Sequence, residues 1–239
     1  MKKYIIVFLT VLTYGMVIAA PIKSNLSAKA MNLTEEEDSG WKASTAKNYV
    51  QDGLIHMWDG IENAGWGVHD ISPSAWKDLK GDENLTLAGN ISIQDDHMYF
   101  DGMSAAYTSH RIYGYVYAEV VAYKRFNSQN CTIYSGGLSD ACLQIFSNGR
   151  THIRERQGIT SPNFYRTNMN VVAYIDYNAN MFNLNGQEYQ CVQVPVAYPA
   201  ARQFSIGAHN AATSVAGSTA LLGKVFCVRL YSIVLTAQE

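Results

Sequence analysis

Three tyrosines at alternating positions form the most conspicuous recognition chemistry in this chain. Tyr113, Tyr115 and Tyr117 lie in Arg111–Lys124, which reads R-I-Y-G-Y-V-Y-A-E-V-V-A-Y-K. On one continuous β-strand, side chains alternate between faces, so the three rings would project together with about 6–7 Å between neighbours. Such a row of rings and hydroxyls suits a ligand built of successive flat units, such as an oligosaccharide. The competing expectation is that these tyrosines pack between two sheets, because Gly114, Ala118 and Ala122 on the other face fill little volume. Trp66 and His69 are a second aromatic candidate, placed in the glycine-punctuated loop Asp59–His69 where a ring could stack on a sugar.

Other groupings carry weaker signals. Asp95-Asp96-His97 contains hard-oxygen ligands suited to calcium, but adjacent aspartates point to opposite faces of a strand and read first as a solvated turn. Arg150, His152, Arg154 and Arg156 share one parity. They make either a positive stripe for an acidic ligand or the solvent face of an edge strand. No G-x-S-x-G, H-E-x-x-H or phosphate-binding loop is present.

The elements that must position these residues are strands. Arg111–Lys124 is the longest β signal and needs neighbours on both sides, so it is expected at the centre of a sheet. Short β runs follow turn residues elsewhere: Leu54–Trp58, Leu85–Leu87, Met98–Phe100, Ala141–Ser147, Thr151–Arg156, Asn170–Asp176, Ala179–Leu184, Glu188–Val194, Arg202–Gly207 and Lys224–Tyr231. Asn148-Gly149 and Asn185-Gly186 are hairpin turns by composition. No long window has helical periodicity; a single helical turn is expected at Thr236–Glu239. Many short strands with regular turns indicate an all-β, two-sheet antiparallel β-sandwich of the jelly-roll type.

The 239-residue length suits one large β domain, and 48% hydrophobic residues allow a substantial core. Residues 1–30 have the physics of a signal peptide: Lys2 and Lys3, an apolar run, then Ala28-Lys29-Ala30 as a cleavage site. The alternative is an uncleaved N-terminal anchor. Residues 31–48 read as a polar, acidic linker, and residues 49–239 as the domain. Cleavage after Ala30 lowers Lys+Arg from 18 to 14 against 20 Asp+Glu, a net of −6, which argues against a nucleic-acid partner. An extracytoplasmic setting, secreted or at the cell surface, permits disulfides among the four cysteines. Cys131 and Cys142 flank a hairpin-like stretch and are the candidate pair. After signal cleavage no segment is long and apolar enough to span a membrane.

Several stretches resemble the laminin-G-like branch of the concanavalin A-like lectin/glucanase superfamily, in bacterial secreted or surface proteins. They are Gly223-Lys-Val-Phe-Cys-Val-Arg-Leu-Tyr-Ser-Ile-Val-Leu-Thr-Ala-Gln-Glu239, Asn170–Tyr177 with Phe182–Gln187, Phe204–Ala208, Tyr99–Gly102, and Asp52–Asn63 with Trp76–Leu79. The matches run in family order from Tyr49 to Glu239. The resemblance implies a concanavalin A-like jelly roll and a lectin-like, carbohydrate-binding role without catalysis. Its glucanases carry E-x-D-x-x-E or E-x-D-x-x-x-E on one strand, and neither spacing occurs here. Ligand-binding candidates are thus Tyr113, Tyr115, Tyr117, Trp66 and His69. No cofactor is required, and calcium is compatible with the family. The rival readings are an adhesive surface protein with protein partners, and a glycoside hydrolase or lyase whose carboxylates meet only in the fold.

Overall fold

The computed structural model describes residues 49–125, 130–136, 141–145, 150–154, 157–160, 168–193, 203–209 and 219–236. Among these, every regular element is a strand: β1 Leu54–Asp59, β2 Ala75–Trp76, β3 Leu85–Ala88, β4 Ser92–Ile93, β5 Met98–Asp101, β6 Ala105–Tyr107, β7 Tyr117–Lys124, β8 Cys131–Ser135, β9 Ala141–Ile145, β10 Arg150–Arg154, β11 Gln157–Thr160, β12 Met169–Asp176, β13 Met181–Leu184, β14 Gln187–Gln190, β15 Val192–Gln193, β16 Ser205–Ile206 and β17 Leu222–Tyr231.

They form two antiparallel sheets. The first has the order β14-β13-β12-β7-β17-β5-β4, and β1 shares with β5 the edge of β17 that faces away from β7. The second runs β15-β11-β10-β9-β8-β16-β6-β3-β2. The architecture is the two-sheet β-sandwich expected from the turn pattern. β7 is central in the first sheet, between β12 and β17, as its length and composition demand.

Alternation along β7 separates two apolar layers. Ala118, Val120 and Ala122 face the other sheet, with Val171, Ala173, Ile175, Val228 and Leu230 beside them and Ile133, Leu143, Ile145, Phe204 and Ile206 opposite. Tyr117 and Val121 face outward into a second cluster with Val172, Tyr174, Tyr231, Tyr49, Met57 and Leu235. The larger side chains of β7 therefore lie outside the inter-sheet core. A bulge in β17 between Val225 and Cys227 lets Phe226 and Cys227 both join the outer cluster, while Val225 and Val228 stay inside.

An ion pair crosses this outer layer. Arg229, 1% exposed, lies 2.9 Å from Glu119 and its guanidinium stacks 3.6 Å over the Tyr49 ring. Tyr231 donates its hydroxyl to the same carboxylate. Burial works against the Arg229 charge, but Glu119, then Cys227 and Tyr231, outweigh it and push the guanidinium pKa further up.

Four sequence expectations change. The strand expected from Arg111 begins only at Tyr117, because Gly114 has φ 89°, a left-handed conformation that interrupts extended backbone. Gln157–Thr160 pairs with β10, which is thus an interior strand rather than an edge; His152 is fully buried, so it belongs to no solvent stripe. The β8–β9 register sets Cys131 opposite Ile145 and Cys142 opposite Ser135, and the two are buried thiols without a disulfide. Glu188–Val194 is split at Cys191 into β14, which pairs with β13, and β15, which pairs with β11 in the other sheet. Asn185-Gly186 turns the β13–β14 hairpin with φ of 52° and 87°, as its composition indicates. The Asn148-Gly149 turn, residues 1–48, Arg156 and residues 237–239 lie outside the described residues.

Candidate functional site

The sequence places a polar cleft at the seam of the two sheets. It begins with His56 on β1. Asp78, in the loop after β2, accepts a 2.6 Å hydrogen bond from His56 Nδ1. Because a carboxylate only accepts, Nδ1 carries the proton and Nε2 is left for other contacts. Asp78 also accepts from the main-chain N–H groups of Met57, Lys80 and Glu83. Burial works to raise the Asp78 pKa, but these bonds, that from His56 foremost, outweigh it and hold the carboxyl below its ordinary value. A Cβ at Gly81 would stand 2.7 Å from both Asp78 Oδ2 and His56 Nδ1, so this position must lack a side chain.

The far wall follows β6. Thr108 N donates to Phe204 O, Phe204 N to His110 O, and Ile112 N to Gly136 O, which lace residues 108–112 to the second sheet. His110 Nε2 donates to Glu83 Oε1 at 2.9 Å, and Ser109 Oγ donates to His110 Nδ1 at 3.3 Å. Trp58 Nε1 donates to Glu83 O, and the Trp58 ring stacks between His56 and Phe204. His56 therefore packs on the buried indole, and His110 is linked to it through Glu83. The resulting open cleft of about 610 Å³ is lined by His56, Glu83, Ser109, His110, Arg111, Ile112 and Tyr113. It offers a ring face, two imidazoles, a guanidinium, a hydroxyl and one carboxylate, a mixture that can match a polyhydroxylated ligand with both donors and acceptors.

The tyrosine row does not survive as a row. Tyr113 is 60% exposed at this cleft. Tyr115 is 3% exposed and belongs to the inter-sheet core, edge-on to Tyr177. Tyr117 is buried in the outer layer, where burial first and Glu119 second raise its phenol pKa and keep it protonated. It borders a smaller groove of about 220 Å³ with Tyr174, Asp176, Asn183, Glu188 and Leu235. Trp66 and His69 share an exposed loop away from both hollows, and the His69 ring is tied to Ile61 O at 2.7 Å. Asp95–His97 forms the turn between β4 and β5, with Asp96 bonded to the His97 ring.

Sequence reading missed His56, Asp78, Glu83 and His110. Their partners lie 22 and 27 positions apart, too far for spacing to reveal. The available signal was Trp76-Lys-Asp-Leu79 followed by Gly81, a turn with an acidic residue two places after a buried Trp.

No protein-family model matches this chain, and no curated protein matches it. Among solved structures, Trypanosoma rangeli sialidase in complex with sialic acid aligns with a TM-score of 0.53 and 16% identity, covering 83% of this chain and 33% of the sialidase chain. The same enzyme with the inhibitor DANA gives 0.53 and 15%, covering 82% and 34%. The VIP36 exoplasmic/lumenal domain in its Ca2+/Man2-bound form gives 0.42 and 10%, covering 77% and 91%. This chain spans about a third of the sialidase chains and shares a fold with that part of them.

Proposed function

We propose that this chain is a non-catalytic, lectin-like carbohydrate-binding module, exported to an extracytoplasmic setting, and that the His56–His110 cleft receives the glycan. The observation that carries this reading is the exposed Tyr113 ring beside a cleft whose polar groups are held in place before any ligand arrives. A prearranged site loses less conformational freedom on binding. A flat ring beside fixed donors and acceptors is the composition that pyranose rings and their hydroxyls require. The sialidase that shares this fold over a third of its length was solved with sialic acid, which is consistent with a saccharide ligand.

Among the residues lining the cleft, Glu83 is the one carboxylate, and its Oε1 is engaged by His110. Glycosidic hydrolysis ordinarily uses two, about 5–9 Å apart. That favours binding over hydrolysis at this cleft. The binding reading requires no cofactor. A glycan array probed with the exported protein tests it: retention of at least one saccharide class by wild type, and its loss in Tyr113→Ala of unchanged melting temperature, is the expected result. Equal retention by both proteins would remove Tyr113 from the site, and hydrolysis of arrayed glycans would replace binding with catalysis.

A further inference from the structure

The outer face of the first sheet holds a groove that the glycan reading does not use. Its walls include Tyr117 of β7, Tyr174 and Asp176 of β12, Asn183 of β13 and Glu188 of β14. The register explains why they meet. Asp176 lies directly opposite Tyr117, and Tyr174, Asn183 and Glu188 follow one another across three neighbouring strands. The Cβ atoms of such partners are about 4.5–5.5 Å apart. Val234 and Leu235, which follow β17, add apolar surface. The groove measures about 220 Å³ and shares no lining residue with the His56–His110 cleft.

Two independent observations point to a ligand. Tyr117 is 4% exposed and lines the groove, yet its hydroxyl has no hydrogen-bond partner among the described residues. A phenol buried to that extent usually finds one, so its oxygen is open to a group that enters the groove. The charge is also unbalanced. Asp176 and Glu188 are acidic, and none of the residues lining the groove is basic. Asp176 Oδ1 accepts from the main-chain N–H groups of Asn178 at 2.8 Å and Ala179 at 2.9 Å, which fixes the carboxylate and leaves Oδ2 for another donor. The nearby Arg229 is already paired with Glu119 at 2.9 Å and does not serve the groove. That pair shows how this layer holds a cation: the Arg229 guanidinium stacks on Tyr49 and binds a carboxylate that also accepts from Tyr231. The groove has the same components, tyrosines and carboxylates, without a guanidinium of its own.

We propose that this groove is a second binding site, for a guanidinium or ammonium cation carried on an apolar stem. Asp176 and Glu188 take the charge, the Tyr117 oxygen accepts a further N–H, and Val234 and Leu235 receive the stem. Guanidinium and ammonium groups carry donors only, and all three of these polar groups can accept. An anion would meet like charge. The volume is below the roughly 300–1,000 Å³ of drug-sized sites, so it suits one side-chain-sized group.

Agmatine titrated into labelled protein tests this, with N-pentylurea as its uncharged counterpart. Agmatine should move the main-chain resonances of Tyr117, Tyr174, Asp176, Asn183 and Glu188, and its Kd should rise several-fold with added salt. N-pentylurea should move none of them. Glu188→Gln, an exposed change, should weaken agmatine several-fold, and Tyr117→Phe should weaken it while keeping the ring in place. The tripeptide Ala-Arg-Ala with blocked ends gives the second arm. Tighter binding of the peptide supports the site and assigns the cation to a protein side chain; tighter binding of agmatine supports it and assigns the cation to a free amine. No shift with either cation at high millimolar concentration overturns the proposal. So does an equal response to N-pentylurea, or a Glu188→Gln protein that binds as wild type does. None of these results bears on glycan retention, which is read separately on the array.

Discussion

Tyr113→Ala and Tyr115→Ala differ by two positions and should differ several-fold in effect. Tyr115 is 3% exposed, packs in the inter-sheet cluster and meets the Tyr177 ring edge-on at 5.7 Å between centroids. Truncation removes the ring, leaves a cavity in the core and deprives Tyr177 of its neighbour. Large aromatic truncations at such sites cost about 3–5 kcal/mol. For a domain of this size each kcal/mol lowers Tm by roughly 2–4 °C, so the loss is about 6–20 °C. Tyr113 is 60% exposed, and its truncation should stay within about 0.5 kcal/mol, or roughly 2 °C. Differential scanning calorimetry on both variants reads the contrast directly. Matching melting temperatures would refute the assignment of these two side chains to core and surface. So would a Tyr113 variant that melts lower than the Tyr115 one.

Three further outcomes follow from buried groups. Arg229→Met leaves Glu119 buried, with Tyr231 still bonded to it but no cation; a loss of about 3–5 kcal/mol is expected in urea unfolding, and a loss below about 1 kcal/mol would show that the pair is not buried. Burial raises the Cys131 thiol to about 12, with Lys124 working in the opposite direction, and raises Cys191 to about 11. Iodoacetamide at pH 8 should therefore leave both unmodified in the folded protein and label both in urea, whereas rapid native labelling would contradict their burial. Asp78 has a folded pKa below its ordinary 3.8. Its contribution to stability is thus fully present above that value and lost as pH falls through the folded pKa. Asp78→Asn should lower the melting temperature at pH 7 and lessen the loss between pH 4 and pH 2; an unchanged acid limb would show that the His56–Asp78 bond does not form.

The architecture was legible because period-2 patterning and turn residues are local. β1, β3, β5, β12, β13 and β17 lie where alternating apolar runs place them, and Asn185-Gly186 makes the hairpin its composition dictates. What failed was the entry to β7. Tyr113 and Tyr115 continue the alternation of Tyr117, but the positive φ of Gly114 turns the chain, and a glycine among aromatics gives no sign of which conformation it adopts. Outer and inner faces were also hard to rank. Tyr117 and Val121 look like core, and they are buried, but beneath Tyr49, Met57 and Leu235 rather than against the second sheet. The cleft was least legible. His56 on β1 meets Asp78 across the two sheets, and Glu83 meets His110 through the β3–β6 ladder of one sheet, so both pairs depend on long-range contacts, among them the Trp58 ring packed on His56 and Phe204, that spacing does not announce.

Chemical-shift mapping of a saccharide retained on the array is the most direct test of the glycan cleft. Titrated into labelled protein, the saccharide should move the imidazole resonances of His56 and His110 and the main-chain resonances of Ser109–Tyr113, leaving those of Tyr174, Asp176 and Glu188 in place. Shifts confined to the Tyr117–Tyr174 groove or to the Trp66–His69 loop, or no shift at saturating saccharide, would contradict it.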